Sequence, residues 1–291
     1  MKFDRFTISL LLIQFIKSTQ ITLMAPLFPV VFTQRSIALH WAGVNMLAFM
    51  ISMAVMSIFS GYTMQTFGAK KLFWLSIAQI ILYPLLLISA YLFSENNAIF
   101  VCTCIFGSII GGSGSAIQST VTQSLLYLLY HESRSIVSAM LNLAVCFGFM
   151  AGFVIGQALF NLGGFSAPLS VTLVALLLTM PFLGGISEIM DSLYSSDTKE
   201  DQDSQISNDN YNDTKKVEVS SKHLFGTIRF SFTLTLTILS FTSNQFIMIS
   251  SVLRLNTINP ESTRNGYYLA IMPLVYLIAT LTITIPLLKF M

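Results

Sequence analysis

The stretch Ser60-Gly61-Tyr62-Thr63-Met64-Gln65-Thr66-Phe67-Gly68-Ala69-Lys70-Lys71 lies between two long apolar runs and sets the fold on either side of it. A membrane helix that reverses within a few residues needs glycine where its backbone turns or packs closely. It also needs lysine or arginine on the side that stays in the cytoplasm. Gly61, Gly68 and the two lysines meet both needs. The stretch therefore predicts a short cytoplasmic turn between two membrane spans.

The composition of the whole chain is that of an integral membrane protein. Apolar residues make up 54% of it and charged residues only 10%, whereas a soluble domain carries roughly 25% charged residues. The net charge of +2 gives no indication of a nucleic-acid partner. The three cysteines, Cys102, Cys104 and Cys146, lie in apolar runs, and their spacing predicts neither a disulfide framework nor a zinc site.

Eight segments are long and apolar enough to cross a membrane, since a span needs about 20 residues. They cover residues 6–33, 40–63, 72–93, 97–125, 134–160, 166–187, 228–252 and 265–288. The first contains Lys17 and no cleavage site follows it, which predicts a span rather than a signal peptide. The pattern predicts an all-α, polytopic membrane protein with about eight transmembrane helices.

The chain divides into three predicted regions. Residues 1–187 are predicted to form a six-helix N-terminal transmembrane half. Residues 188–224 hold nine of the 13 acidic residues and are predicted to be a disordered loop. Residues 225–291 are predicted to be the first two helices of an incomplete C-terminal half. With the N-terminus in the cytoplasm, 11 of the 15 basic residues fall on the cytoplasmic side, which the positive-inside rule favours.

The opening stretch resembles the loop between helices 2 and 3 of the major facilitator superfamily. In that loop a glycine, an acid–arginine pair, a second glycine and a basic pair recur. The matching positions are the two glycines and the basic pair: Gly61, Gly68, Lys70 and Lys71. Gln65 and Thr66 stand where the family has its acid and its arginine. The alternative interpretation is any tight basic loop between two spans.

Span 5 contains Gly148, Gly152 and Gly156, spaced four residues apart. Residues at this spacing lie on one helix face and let a neighbouring helix approach closely. Beyond packing, the run from Gly148 to Gln157 resembles the antiporter-associated motif of facilitators. Pro26 and Pro29 of span 1 are also similar to a double proline in the vesicular amine transporter family (solute carrier family 18), above all in its polyamine branch.

This resemblance implies a secondary active transporter of a small organic solute, an amine or polyamine, in a vesicular or plasma membrane. It also implies a facilitator-type helical bundle, alternating access and coupling to an ion gradient, in a family with twelve spans. Because the chain stops at Met291 after its eighth segment, we expect it to be truncated relative to that family. The alternative is a transport-incompetent paralogue or gene fragment with a regulatory or binding role.

Charged groups inside a bilayer are costly and usually mark function. All 13 acidic residues lie at span ends or in loops, whereas the proton-coupled amine transporters that this chain resembles use membrane carboxylates. The resemblance places Asn142, and Asn244 or Gln245, where such transporters have acids, and Ser108 where they have an arginine. These side chains form hydrogen bonds but do not titrate.

Lys17 is the exception, because it lies midway along span 1 and shares a helix face with Gln14. One interpretation is a neutral or snorkelling lysine. The other is a cation in the central cavity that favours an anionic or zwitterionic solute and opposes a polyamine. The predicted substrate-path residues are Gln14, Lys17, Ser108, Asn142, Asn244, Gln245 and Tyr276. The sequence shows no intramembrane His, Cys, Asp or Glu cluster, so we expect no enzyme, no cofactor and no metal site.

Overall fold

The computed structural model of the chain describes residues 5–130 and 133–184, together with Ile271 and Leu274. Six helices follow one another: α1 (Arg5–Gln34), α2 (His40–Phe67), α3 (Ala69–Phe93), α4 (Asn97–Leu129), α5 (Arg134–Gly163) and α6 (Ser166–Gly184). Each is long and apolar enough to cross a membrane. The predicted all-α, polytopic fold is confirmed. Apart from Ile271 and Leu274, the predicted segments 188–224, 228–252 and 265–288 lie outside the described residues.

The reversal between α2 and α3 is much shorter than the sequence predicts. Helix α2 continues to Phe67 and α3 begins at Ala69, so Gly68 alone joins them. Its φ of 80° lies in the region that favours glycine. Gly61, by contrast, lies inside α2, and a Cβ atom there would have nothing within 4 Å. The prediction of a turn at Gly61 is therefore wrong, because no residue between it and Gly68 interrupts the helix.

Helix α1 is the most buried of the six and α2 the least. Helix α1 stays continuous through Pro26 and Pro29. Proline is tolerated within membrane helices because neighbouring helices and side-chain hydroxyls bond to the backbone groups that it leaves unpaired. The hydroxyls of α1 itself bond back to preceding carbonyls: Thr22 Oγ1 donates to Ser18 O at 3.0 Å, and Thr33 Oγ1 donates to Pro29 O at 2.8 Å. The polar residues of α1 are thus accommodated within the bundle core.

Arg35, just after α1, joins three helix ends. Its guanidinium donates to the carbonyl oxygens of Tyr91 and Ser94, both at 2.7 Å. These carbonyls belong to the last turn of α3 and to its C-cap residue. No further turn of helix follows to donate hydrogen bonds to them. The same guanidinium lies 4.3 Å from the ring centroid of Phe100 in α4. One side chain therefore ties the ends of α1 and α3 to the start of α4.

Among α1 to α5, the most extensive helix contacts are α1 with α5, α2 with α4, and α3 with α4. Between α1 and α4, by contrast, the backbones approach each other closely at few positions. Aromatic rings bridge these two helices, with the ring centroids of Phe32 and Phe100 5.6 Å apart. Phe28 of α1 packs instead on Phe165, which precedes α6, at 6.1 Å. The space between α1 and α4 is where the candidate site lies.

Candidate functional site

Lys17 lies in the middle of α1 and is only 3% exposed. Its Nζ donates to Gln14 Oε1 at 3.0 Å, to the carbonyl oxygen of Ser115 at 3.4 Å and to Ser119 Oγ. An ammonium group has three N–H donors, so these partners account for all of them. We call the group formed by Gln14, Lys17, Ser115 and Ser119 the Lys17 cluster.

The helical repeat explains how the cluster forms. Gln14 precedes Lys17 by three residues, and Ser115 precedes Ser119 by four, so each pair lies on one face of its helix. The two faces meet across the gap between α1 and α4, which the long lysine side chain bridges. All three acceptors are neutral. The cluster therefore holds the buried amine of Lys17 by hydrogen bonds, and no carboxylate is among its partners in the described part of the chain.

Two further hydrogen bonds continue the polar face of α1. Near the start of the helix, Thr7 Oγ1 and Tyr130 Oη lie 2.8 Å apart. One turn beyond Lys17, Gln20 Nε2 donates to the carbonyl oxygen of Ile80 in α3 at 3.2 Å. Together with the Lys17 cluster, these contacts give α1 polar attachments to α3 and to both the middle and the end of α4.

Ser108 belongs to a different place in the bundle. Its Oγ donates to Asn45 Oδ1 at 2.9 Å, and both residues are fully buried between α2 and α4. With Tyr83 of α3, they line a cavity of about 20 Å³. Asn45 was not among the predicted path residues, because one amide hardly alters the apolar character of span 2. An uncharged polar residue inside a predicted span was the signal that could have identified it.

Of the remaining predicted path residues, the structure describes only Asn142, which is not among the hydrogen-bond partners of the Lys17 cluster. Asn142 lies on the exposed face of α5 within the described part of the chain. Asn244, Gln245 and Tyr276 lie outside the described residues. The structure thus brings together Gln14 and Lys17 from the predicted set, and adds Ser115 and Ser119 of α4.

The glycine stripe of α5 fixes the position of α1. A Cβ atom on Gly148 would lie 2.5 Å from the carbonyl oxygen of Phe15, and one on Gly152 would lie 2.5 Å from that of Thr19. Real Cβ atoms do not approach other atoms so closely, so each contact requires glycine. The stripe therefore places the backbone of α5 directly on α1, over the turns that surround Lys17.

The described residues contain no candidate metal site. Among residues 5–130 and 133–184, no group of three or more His, Cys, Asp or Glu side chains could hold a metal ion. The cysteines described there, Cys102, Cys104 and Cys146, are free thiols, and only Cys102 is exposed. The polar groups of the site are therefore amides, hydroxyls and one amine, which suit hydrogen bonding to a solute.

A family model described as Major Facilitator Superfamily matches residues 10–289, nearly the whole chain. No curated protein and no solved structure matches the chain significantly.

Proposed function

We propose that this chain, which belongs to the Major Facilitator Superfamily, moves a small organic solute across a membrane by alternating access. The superfamily prediction is confirmed, and the chain is accordingly a multi-pass membrane protein of a secondary transporter family. In such transporters, two halves rock against each other around a site near the middle of the membrane. The solute, the coupling ion and the membrane in which the chain resides belong to the proposal.

The observation that carries the proposal is the Lys17 cluster. A lysine that is 3% exposed, in the middle of a membrane-length helix, has a high energetic cost. Packing alone does not require it, because an apolar residue would fill the same space without that cost. We infer that the amine of Lys17 binds the solute. Gln14 and Ser119 hold this amine when no solute is bound.

The solute class follows from the charge of the cluster and from the family resemblance. The resemblance to vesicular amine transporters favours an organic amine. A protonated Lys17 whose partners are all neutral repels a polyamine and attracts a carboxylate. We therefore propose a zwitterionic amine as the preferred solute, with a polyamine disfavoured.

The hydrogen bonds of Lys17 suggest how binding is linked to movement. All three donors are used in the described arrangement, so a solute carboxylate must replace at least one acceptor to reach the amine. Replacing Ser119 Oγ would loosen the link between α1 and α4. We propose that solute binding exchanges a contact between helices for a contact with the solute, which frees α4 to move relative to α1.

Uptake into proteoliposomes tests the proposal. The purified full chain is reconstituted, a pH gradient is imposed, and uptake of labelled spermidine and of a panel of labelled zwitterionic amino acids is measured. We expect spermidine to accumulate no more than in empty liposomes. At least one zwitterion should accumulate in the unaltered protein and fail to do so with Lys17→Ala.

Ser52→Ala is the control, because it removes a hydrogen bond from α2 to Ile109 O of α4 on an exposed face. This variant should keep the uptake of the unaltered protein. Spermidine uptake that Lys17→Ala abolishes would overturn the proposed charge preference and make Lys17 the coupling residue for a polyamine. Uptake at the level of empty liposomes for every solute would overturn transport and favour the transport-incompetent alternative.

A further inference from the structure

A second polar site lies between helices α1 to α4 and shares no residue with the Lys17 cluster. It is the cavity of about 20 Å³ described above. Asn45, Ser108 and Tyr83 provide its polar groups, and apolar residues such as Met24 and Phe28 form the rest of its wall. We call it the Asn45 cavity.

The amide oxygen of Asn45 has a hydrogen-bond partner, whereas its amide nitrogen has none among the described residues. Its Oδ1 accepts a hydrogen bond from Ser108 Oγ at 2.9 Å. Its Nδ2 is buried and has no hydrogen-bond partner among the described residues. A buried donor without a partner costs about 1–3 kcal/mol of stability, and such groups are rare in native proteins. The free N–H of Asn45, which lines the cavity, therefore needs an acceptor from outside this part of the chain.

The chemistry of the cavity defines that acceptor. An amide N–H requires a hydrogen-bond acceptor, which excludes an ammonium group because ammonium only donates. The volume exceeds the roughly 10–15 Å³ that one water needs and leaves room for little more. The polar lining groups are an amide and two hydroxyls, so no opposite charge is present to stabilise an ion. The requirements describe one uncharged oxygen atom.

We propose that the Asn45 cavity binds one uncharged oxygen atom, from a hydroxyl or carbonyl group of a solute or from a water molecule, which accepts a hydrogen bond from Asn45 Nδ2. Met46 and Met50, which also line the cavity, are partly exposed, so the proposed route of entry passes these two side chains. The solute as source rests on the proposed function, whereas the water as source does not depend on it.

The sign of one stability change tests whether the cavity is occupied. Both variants are made in a Ser108→Ala background of the purified full chain, where the hydrogen bond between Ser108 and Asn45 is already absent. There, Asn45→Leu removes only the amide, and Met46→Leu is the matched control because it alters the neighbouring lining residue without altering hydrogen bonds. If an oxygen atom is bound, Asn45→Leu should melt about 2–4 °C below Met46→Leu, a shift typical of one lost hydrogen bond in a chain of this size. If the amide is unpaired, Asn45→Leu should melt at the same temperature or higher, which would overturn the proposal.

The source of the oxygen atom is distinguished by adding candidate solutes to the unaltered protein. N-Acetylputrescine, which has a carbonyl acceptor, is compared with putrescine, which has none, by thermal shift. Stabilisation by the first alone, lost in Asn45→Leu, identifies a solute group. If neither stabilises the protein, a crystal structure without added solute should show a single density peak within hydrogen-bond distance of Nδ2, which identifies water.

The absence of both the stabilisation and the density peak would overturn the proposed site. None of these measurements involves transport. The proposed site can therefore be refuted while uptake into proteoliposomes is observed, and transport can be refuted while the site is confirmed.

Discussion

Helix α1 meets α5 and α4 in opposite ways. Against α5 it makes backbone contact, with Gly148 and Gly152 placed where a Cβ atom would lie 2.5 Å from carbonyl oxygens of α1. Against α4 the backbones approach closely at few positions, and the Lys17 side chain provides the polar connection in the middle of the two helices. The first interface depends on the absence of side chains and the second on a long one.

The two interfaces differ in what can replace them. A small solute cannot replace the backbone contact between α1 and α5, since it does not offer a complementary surface along a whole helix. A hydrogen bond from Lys17 to a neutral hydroxyl has a stronger competitor, because a bond between charged partners is roughly twice as strong. We infer that α1 and α5 move as one unit, and that the gap between α1 and α4 is where a solute changes the structure.

The largest expected effect comes from filling the α1–α5 contact. Gly152→Leu places a branched side chain where Thr22 Oγ1 and the carbonyl oxygen of Thr19 already lie. Overpacking typically costs about 1–3 kcal/mol, and more where backbone must move. We expect the monodisperse yield in detergent, measured by size-exclusion chromatography, to fall to background. Gly61→Leu is the matched control, since a Cβ atom there meets nothing within 4 Å. Normal yield for Gly152→Leu would show that α1 and α5 are not held by this contact.

At the interface between α1 and α4, we expect a smaller effect on stability but a large effect on transport. Lys17→Met keeps a long side chain and removes the buried amine. Three hydrogen bonds are lost, but so is the desolvation cost of a buried charge, and such replacements are often neutral or stabilising. We expect a melting temperature no lower than that of the unaltered protein, with solute uptake at least about tenfold lower. A strongly destabilised Lys17→Met would show that the amine holds α1 to α4 as a structural element.

The smallest effect should follow from removing one acceptor. Ser119→Ala deletes one hydrogen bond of Lys17 and leaves Gln14 and the Ser115 carbonyl in place. The expected cost is about 0.5–1.5 kcal/mol, measured as a fall in melting temperature. Thr103→Ala is the control, because its hydroxyl bonds only to Ile99 O of its own helix. If solute and Ser119 compete for Lys17, Ser119→Ala should also lower the KM for uptake. An unchanged or raised KM would contradict that competition.

The sequence predicted the helices well and their contacts poorly. Long apolar runs give the helices directly, because a membrane span must bond its own backbone. Helical spacing also placed Gln14 beside Lys17. Nothing in the spacing indicates which helix faces Lys17, so Ser115 and Ser119 could not be assigned as its partners. The substrate-path roles of Ser108 and Asn142 remain predictions, as do those of Asn244, Gln245 and Tyr276.

The single residue between α2 and α3 has a mechanical consequence. A linker of one residue contributes only two free torsions, φ and ψ, and Gly68 holds them at 80° and 145°. The two helices therefore form a joint with two degrees of freedom, and a rotation of α2 about its own axis is passed on to α3. Adding one glycine beside Gly68 would double the number of torsions and let the two helices turn independently.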